Sequence, residues 1–276
     1  MKTLYLSDLD GTLLTPEKKI SPESAALLNG MMERGLLFSV ATARSMGTLP
    51  QILGPLRLSL PTALMNGVLI YDWGRERYVH VEALPRESAA GVVQVMERLG
   101  LGCYLFTLKD DILYANYRSL EQPCHQKFLA QRQGGGRKIF RRVASLAGAA
   151  AAEPCVFFSF SGPDPRPLRE GLLLLQQVPG TAPVLYEDRD EHIWYLETCS
   201  ARAGKASAME WLKGFCGAQR TVAFGDNAND LDMLARADLS CAVANAAGPV
   251  RRAADRVIAS NRENGVARFI AGDFKP

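Results

Sequence analysis

The chain opens with a short apolar run, 3–7 (TLYLS). Comparable runs recur at 36–41 (LLFSVA), 62–65 (TALM), 221–224 (TVAF) and 239–243 (LSCAV). Each reads as a strand buried on both faces. Helical patterns separate some of them. Residues 22–34 predict a helix with Ser21 as N-cap, Pro22 in the first turn and Gly35 as the stop. This alternation of strand and helix predicts an α/β fold with a Rossmann-like parallel sheet covered by helices. The stretch 64–71 (LMNGVLIY) differs, because two apolar runs flank Asn66-Gly67, which predicts a tight hairpin.

From about residue 84 to 195 the pattern changes. Apolar-aromatic runs at 102–106, 112–117, 155–160, 183–187 and 192–197 alternate with helical stretches at 86–99, 119–132 and 166–177. Gly134-Gly135-Gly136 and 147–152 (AGAAAA) mark loose connections or a small-residue helix. The middle third therefore reads as a second α/β domain, 85–199, inserted into a core formed by 1–84 and 200–276. The boundaries are expected near Leu84-Pro85 and Cys199-Ser200.

Composition narrows the picture. With 47% hydrophobic and 22% charged residues among 276, the chain is an ordinary globular protein of one large or two modest domains. A net charge of +3 is too mild to indicate nucleic acid, which needs a clustered basic patch. Arg141-Arg142 and Arg251-Arg252 read as solvated helix faces. The six cysteines form no C-x-x-C pair, which argues against zinc, and they read as reduced thiols of a cytoplasmic protein. His80, His125 and His192 are scattered and read as packing or surface residues. Lys2 and the leucines after it mimic the start of a signal peptide, but Asp8 and Asp10 interrupt the apolar region, so none is expected. No apolar stretch is long enough to predict a membrane span.

The chemistry-bearing clusters all fall at strand ends, where open α/β sheets bind ligands. The first strand runs into Asp8-Leu9-Asp10-Gly11-Thr12, the second into Thr42-Ala43-Arg44, the third into Asn66-Gly67. The run at 221–224 leads into Gly225-Asp226-Asn227-Ala228-Asn229-Asp230. Asp8, Asp10, Asp226 and Asp230 in one small space would repel one another unless a hard divalent cation joined them. Mg²⁺ suits such a set, being held by carboxylates, waters and phosphate oxygens. A carboxylate also serves as a nucleophile towards phosphorus. The metal, the Thr42 hydroxyl and a lysine such as Lys205, at the start of a helix over 204–214, would stabilise charge on a transferring phosphoryl group. Taken singly, each cluster also reads as ordinary turn or capping chemistry, with Thr42 an N-cap for the helix that follows.

Together these motifs resemble the haloacid dehalogenase-like hydrolases, and among them the Cof-like sugar phosphatases. DLDGTLL (8–14), Thr42, Lys205 and GDNANDLDML (225–234) are similar to that family's four motifs in order. Asn66-Gly67 and the tail 244–270 are similar to the Cof-like group. The resemblance covers the core at both ends of the chain, and the insert matches only in size and position. It implies a cap domain between the second and third motifs, with hinges near Leu84-Pro85 and Ser200-Gly204. It further implies that Asp8 attacks phosphorus and becomes an aspartyl-phosphate. Asp10 would protonate the leaving oxygen and then activate water. Asp8, the Asp10 carbonyl and Asp226 would hold Mg²⁺, with Asp230 supporting metal or lysine. Thr42, Lys205, Gly11, Arg44, Asn66 and Asn229 would surround the phosphate. Two departures stand out: Ala43 replaces the usual glycine of the second motif, and Ala206 follows Lys205, with Arg202 a rival cation nearby.

The expected activity is Mg²⁺-dependent hydrolysis of a small phosphorylated metabolite, a sugar phosphate by default and a pyridoxal or flavin phosphate as variants. The expected state is a monomer or weak dimer. A phosphotransferase or phosphohexomutase of the same superfamily, and a non-catalytic phosphometabolite-binding protein, are the alternatives. Tyr104, Tyr114, Tyr117, Tyr186, Glu187, His192 and Trp194 are the insert's candidates for substrate contact, though most read as packing residues.

Overall fold

The computed structural model describes residues 1–132, 137–188 and 191–276. The chain opens with β1 (Thr3–Ser7), α1 (Pro22–Met32), β2 (Leu37–Val40), α2 (Leu49–Leu53), β3 (Thr62–Leu64), β4 (Leu69–Asp72) and β5 (Arg77–Val81). It continues through α3 (Arg86–Leu99), β6 (Cys103–Lys109), β7 (Ile112–Tyr117), α4 (Pro123–Arg132), β8 (Lys138–Arg142), α5 (Leu146–Ala152), β9 (Cys155–Gly162), α6 (Pro165–Leu175), β10 (Val184–Asp188) and β11 (Ile193–Thr198). It closes with α7 (Lys205–Cys216), β12 (Arg220–Gly225), α8 (Leu231–Arg236), β13 (Leu239–Val243), α9 (Gly248–Ala253), β14 (Arg256–Ile258) and α10 (Gly265–Asp273). Two compact units result. One comprises Met1–His80 with Ala203–Pro276, the other Val81–Arg202.

The first unit is built on a parallel sheet in the order β14-β13-β12-β1-β2. Leu4, Leu6, Phe38, Val222 and Phe224 are completely buried in it, as strands covered by helices on both faces require. The Ser21 hydroxyl accepts a bond from the Ser24 N–H at 2.9 Å and starts α1. Gly35, at φ +95°, ends it, letting the Leu36 N–H reach the Met31 carbonyl. β3 and β4 are antiparallel, with Leu64 paired to Leu69, so the turn holds four residues rather than two. Met65, Asn66 and Gly67 all take positive φ there. From β1 the chain steps one way to β2, and from β12 it steps the other way to β13 and β14. β1 and β12 therefore flank the switch point of the sheet, and the Ser7–Phe224 register brings their C-terminal ends level.

The second unit carries a six-stranded sheet, β10-β11-β9-β6-β7-β8. All its pairs are antiparallel except β7 with β8. One face is closed by an apolar cluster that includes Val92 of α3, Leu168 of α6, Leu105, Phe158, Phe160 and Leu196.

Several local expectations change. The helix expected over 119–132 starts at Pro123, whose missing N–H and fixed φ suit a helix start. The 147–152 run belongs to α5, capped by Ser145. Arg141 and Arg142 lie on strand β8, not on a helix face, and Arg141 is tied to Glu153 and Asn116. Charged residues on a strand next to a buried carboxylate mimic a solvated face when read one residue at a time. Gly134-Gly135-Gly136 lies outside the described residues. Among those residues no helix is long and apolar enough to cross a membrane.

Candidate active site

β1 carries the chain into the switch point and stops at Ser7. Asp8 is still extended, and its N–H donates to the Phe224 carbonyl of β12 at 3.0 Å, which seats the carboxylate beneath the sheet edge. The strand does not persist to Asp10. A wide turn over Leu9–Leu13, closed by the Leu14 N–H on the Leu9 carbonyl at 2.9 Å, replaces it. The i, i+2 spacing that would put Asp8 and Asp10 on one face of a regular strand therefore does not do so here. The Asp8 carboxylate is buried in the cluster described below. The Asp10 carboxylate is part-exposed and takes two bonds from Arg44, Nε at 2.6 Å and Nη2 at 2.5 Å.

β12 ends in Gly225, and the loop after it folds on Asp230. One Asp230 oxygen accepts the N–H groups of Asp226 and Asn227, both at 3.0 Å. Gly225 has to be glycine here, since a Cβ would stand 2.5 Å from the Asp230 Cβ. The other Asp230 oxygen accepts Lys205 Nζ at 2.6 Å, and the same ammonium donates to Asp8 at 2.5 Å. Lys205 is almost wholly buried at the first turn of α7. Arg202 is exposed and pairs with Glu82 in the inserted unit, so Lys205 is the cation that reaches the carboxylates.

Asp8, Asp226 and Asp230 each offer a carboxylate oxygen, all within 4.8 Å of one another. If all ionise, three carboxylates against one ammonium leave a formal excess of two negative charges. The electrostatics show the strain. Burial pushes Asp8 up to about 7, against the pull of Lys205 and with help from Asp230 and Asp226. Burial and repulsion from Asp230 push Asp226 up to about 6, although the Thr12 hydroxyl bonds it at 3.0 Å. Burial lowers the Lys205 ammonium, but Asp8 and Asp230 outweigh it and the net shift is upward. Hard oxygen donors carrying two uncompensated charges fit one divalent cation.

The other residues singled out in the sequence line the same end of the sheet. Thr42 is buried. Its hydroxyl accepts the Arg44 N–H at 3.1 Å, so it braces the second motif rather than capping α2, which starts after Thr48. The Asn66 amide oxygen accepts the Asn229 side chain at 3.1 Å. Gly11, at φ +82°, runs so close to Asp226 that a Cβ would stand 2.3 Å from its carboxylate. Two supporting residues belong to no motif of the sequence. Asn245 donates to the Gly11 carbonyl at 2.7 Å, and Asn261 holds Asn245 through its own N–H at 2.9 Å. Both lie in the 244–270 tail, where neither carried a signal of its own as a single residue.

A family model described as haloacid dehalogenase-like hydrolase matches residues 5–138 and 180–270. Pyridoxal phosphate phosphatase YbhA of Escherichia coli strain K12 is 26% identical over 268 residues, 95% of each chain. 5-Amino-6-(5-phospho-D-ribitylamino)uracil phosphatase YitU of Bacillus subtilis strain 168 is 26% identical, over 98% of this chain and 97% of the other. A haloacid dehalogenase-like hydrolase from Bacteroides thetaiotaomicron shares the fold, with a TM-score of 0.79 at 24% identity, over 99% of this chain and 100% of that one.

Proposed function

The chain belongs to the haloacid dehalogenase-like hydrolases, as a phosphatase of their Cof-like group, and we propose that it hydrolyses a small phosphorylated metabolite by way of an aspartyl-phosphate on Asp8. The observation that carries this reading is the pairing of two unlike aspartates. Asp8 is buried against Lys205, Asp226 and Asp230, whereas Asp10 is held apart by Arg44.

Asp8 is the nucleophile. Its Oδ1 is occupied by Lys205, which leaves the other oxygen to attack phosphorus. In its protonated form Asp10 gives that proton to the alkoxide leaving group, and the resulting carboxylate, the form that Arg44 grips, then accepts a proton from the water that hydrolyses the aspartyl-phosphate. Lys205, Thr42 and Asn229 gather around the transferring oxygens, where fixed positive charge and donors count most. Asp230 commits both oxygens to Lys205 and to the 226–227 backbone, so its work is orienting them. Asp8 and Asp226, with the Asp10 carbonyl, would hold Mg²⁺. When bound, Mg²⁺ would supply positive charge to the phosphoryl oxygens.

Substrate selection is assigned to the inserted unit, Val81–Arg202. The two relatives act, by their names, on phosphate esters whose organic part carries a nitrogen heterocycle. A screen therefore needs phosphorylated heterocycles beside sugar phosphates. The test is phosphate release from an aryl phosphate and from that panel, with Mg²⁺ or chelator, for wild type and Asp8→Asn. Release that requires both Mg²⁺ and Asp8 supports the reading. Release by Asp8→Asn at the wild-type rate sinks it.

A further inference from the structure

The inserted unit holds a cavity of about 360 Å³ that shares no residue with the cluster around Asp8. It sits at the C-terminal end of α3, beside the start of β6, the end of β7 and the start of α5. Its volume falls within the range of small-molecule sites.

His125 lines this cavity and is 3% exposed. Its Nε2 lies 2.9 Å from the Ser161 carbonyl oxygen. A carbonyl only accepts, so Nε2 carries the hydrogen and Nδ1 is left as a bare acceptor. No protein donor meets Nδ1 among the described residues. Gly102, also in the lining, packs directly beside this edge of the ring, since a Cβ there would stand 2.8 Å from His125 Cε1 and 3.2 Å from Nδ1. Burial lowers the ring's affinity for a proton, which keeps it neutral and Nδ1 an acceptor.

Charges of both signs line the same cavity. Arg118, Glu97 and Glu121 line the cavity, and none of the three is in a salt bridge among the described residues. Glu121 is near enough to act on the His125 ring. Leu101 and Leu146 supply apolar wall. A cavity with an unpaired cation, unpaired carboxylates and a buried acceptor matches a molecule that carries both charges itself. We propose that this cavity is a binding site for a small zwitterion of the α-amino acid class. Its ammonium group is met by His125 Nδ1 and the glutamates, its carboxylate by Arg118.

The experiment uses the full chain labelled with ¹⁵N-histidine, titrated with each common α-amino acid in turn, with glucose and adenine as uncharged controls. The expected result is a saturable shift of the His125 ring nitrogens with at least one amino acid. Arg118→Ala and Glu97→Gln should each weaken it by at least about tenfold. Both substitutions are at exposed side chains, so the fold persists and the remaining histidine signals verify it. A response to glucose or adenine alone, no response to any amino acid, or unchanged affinity in Arg118→Ala overturns the proposal.

Discussion

Arg44 grips Asp10 by two parallel hydrogen bonds, Nε to Oδ2 at 2.6 Å and Nη2 to Oδ1 at 2.5 Å. Two bonds fix a carboxylate in direction as well as position. Arg44→Ala is expected to lower kcat about 100-fold, the scale of a misplaced catalytic group. The melting temperature should hardly move, because the pair is part-exposed and such pairs add little stability. Arg44→Lys should recover only part of the rate, since an ammonium lacks the planar fork. Steady-state kinetics on the three proteins decide it, and equal kcat in wild type and Arg44→Ala would remove Arg44 from the positioning of Asp10.

Lys205 is the counter-ion for two buried carboxylates at once. Lys205→Met leaves them without compensation, and breaking a buried pair in this way costs about 3–5 kcal/mol. Urea unfolding in chelator should show a loss of that size, and added Mg²⁺ should return part of it. A Lys205→Met protein as stable as wild type in chelator would mean that the carboxylates take up protons instead.

The raised Asp226 carboxyl makes a pH prediction. Its ordinary value is 3.8 and its folded value about 6, so between these the folded state binds the proton more tightly than the unfolded chain. Stability from this group is full below about 4 and is lost as pH rises through about 6. Asp8, raised to about 7, extends the loss upward. The lowered carboxyls of Glu153, Asp164 and Asp255 act in the opposite sense, so the readout is a difference. In chelator, Asp226→Asn should gain melting temperature over wild type as pH rises from 4 to 7. Mg²⁺ should shrink that gain by stabilising wild type. A difference that stays flat across the range contradicts the assigned strain.

Gly67 sits at φ +88°, and a Cβ on it would stand 2.2 Å from the Gly204 carbonyl, one residue ahead of Lys205. Gly67→Ala combines left-handed strain with a backbone clash. A loss of about 2–4 kcal/mol is expected by denaturant unfolding. Because the clash pushes on the start of α7, kcat should fall as well. An alanine variant of wild-type stability would show that the hairpin turn and α7 are free to separate.

The strands and their order along the chain were legible because buried strands and capped helices are local patterns. TLYLS, TVAF and LSCAV became β1, β12 and β13, and Ser21, Pro22 and Gly35 bound α1 as their chemistry requires. β8 was missed because Lys138–Arg142 carries three basic residues, and its stability comes from pairing with β7 and from Glu153. The clusters at strand ends could be read from the sequence, since polar runs after apolar strands stand out. The separate surroundings of the Asp8 and Asp10 carboxylates could not, because they depend on where β1 stops.

The sequence by itself determined most of the strands and which polar groups follow them, since both depend on neighbours a few positions away. Only the tertiary structure decided that Lys205 meets Asp8 across 197 positions, that Asp10 turns to Arg44, and that Asp226 lies against Gly11. Those contacts follow from the order and register of β1 and β12, from the turn at Gly11 and from the burial that makes unlike charges seek each other. No local pattern carries that information, because it is a property of how separate segments pack.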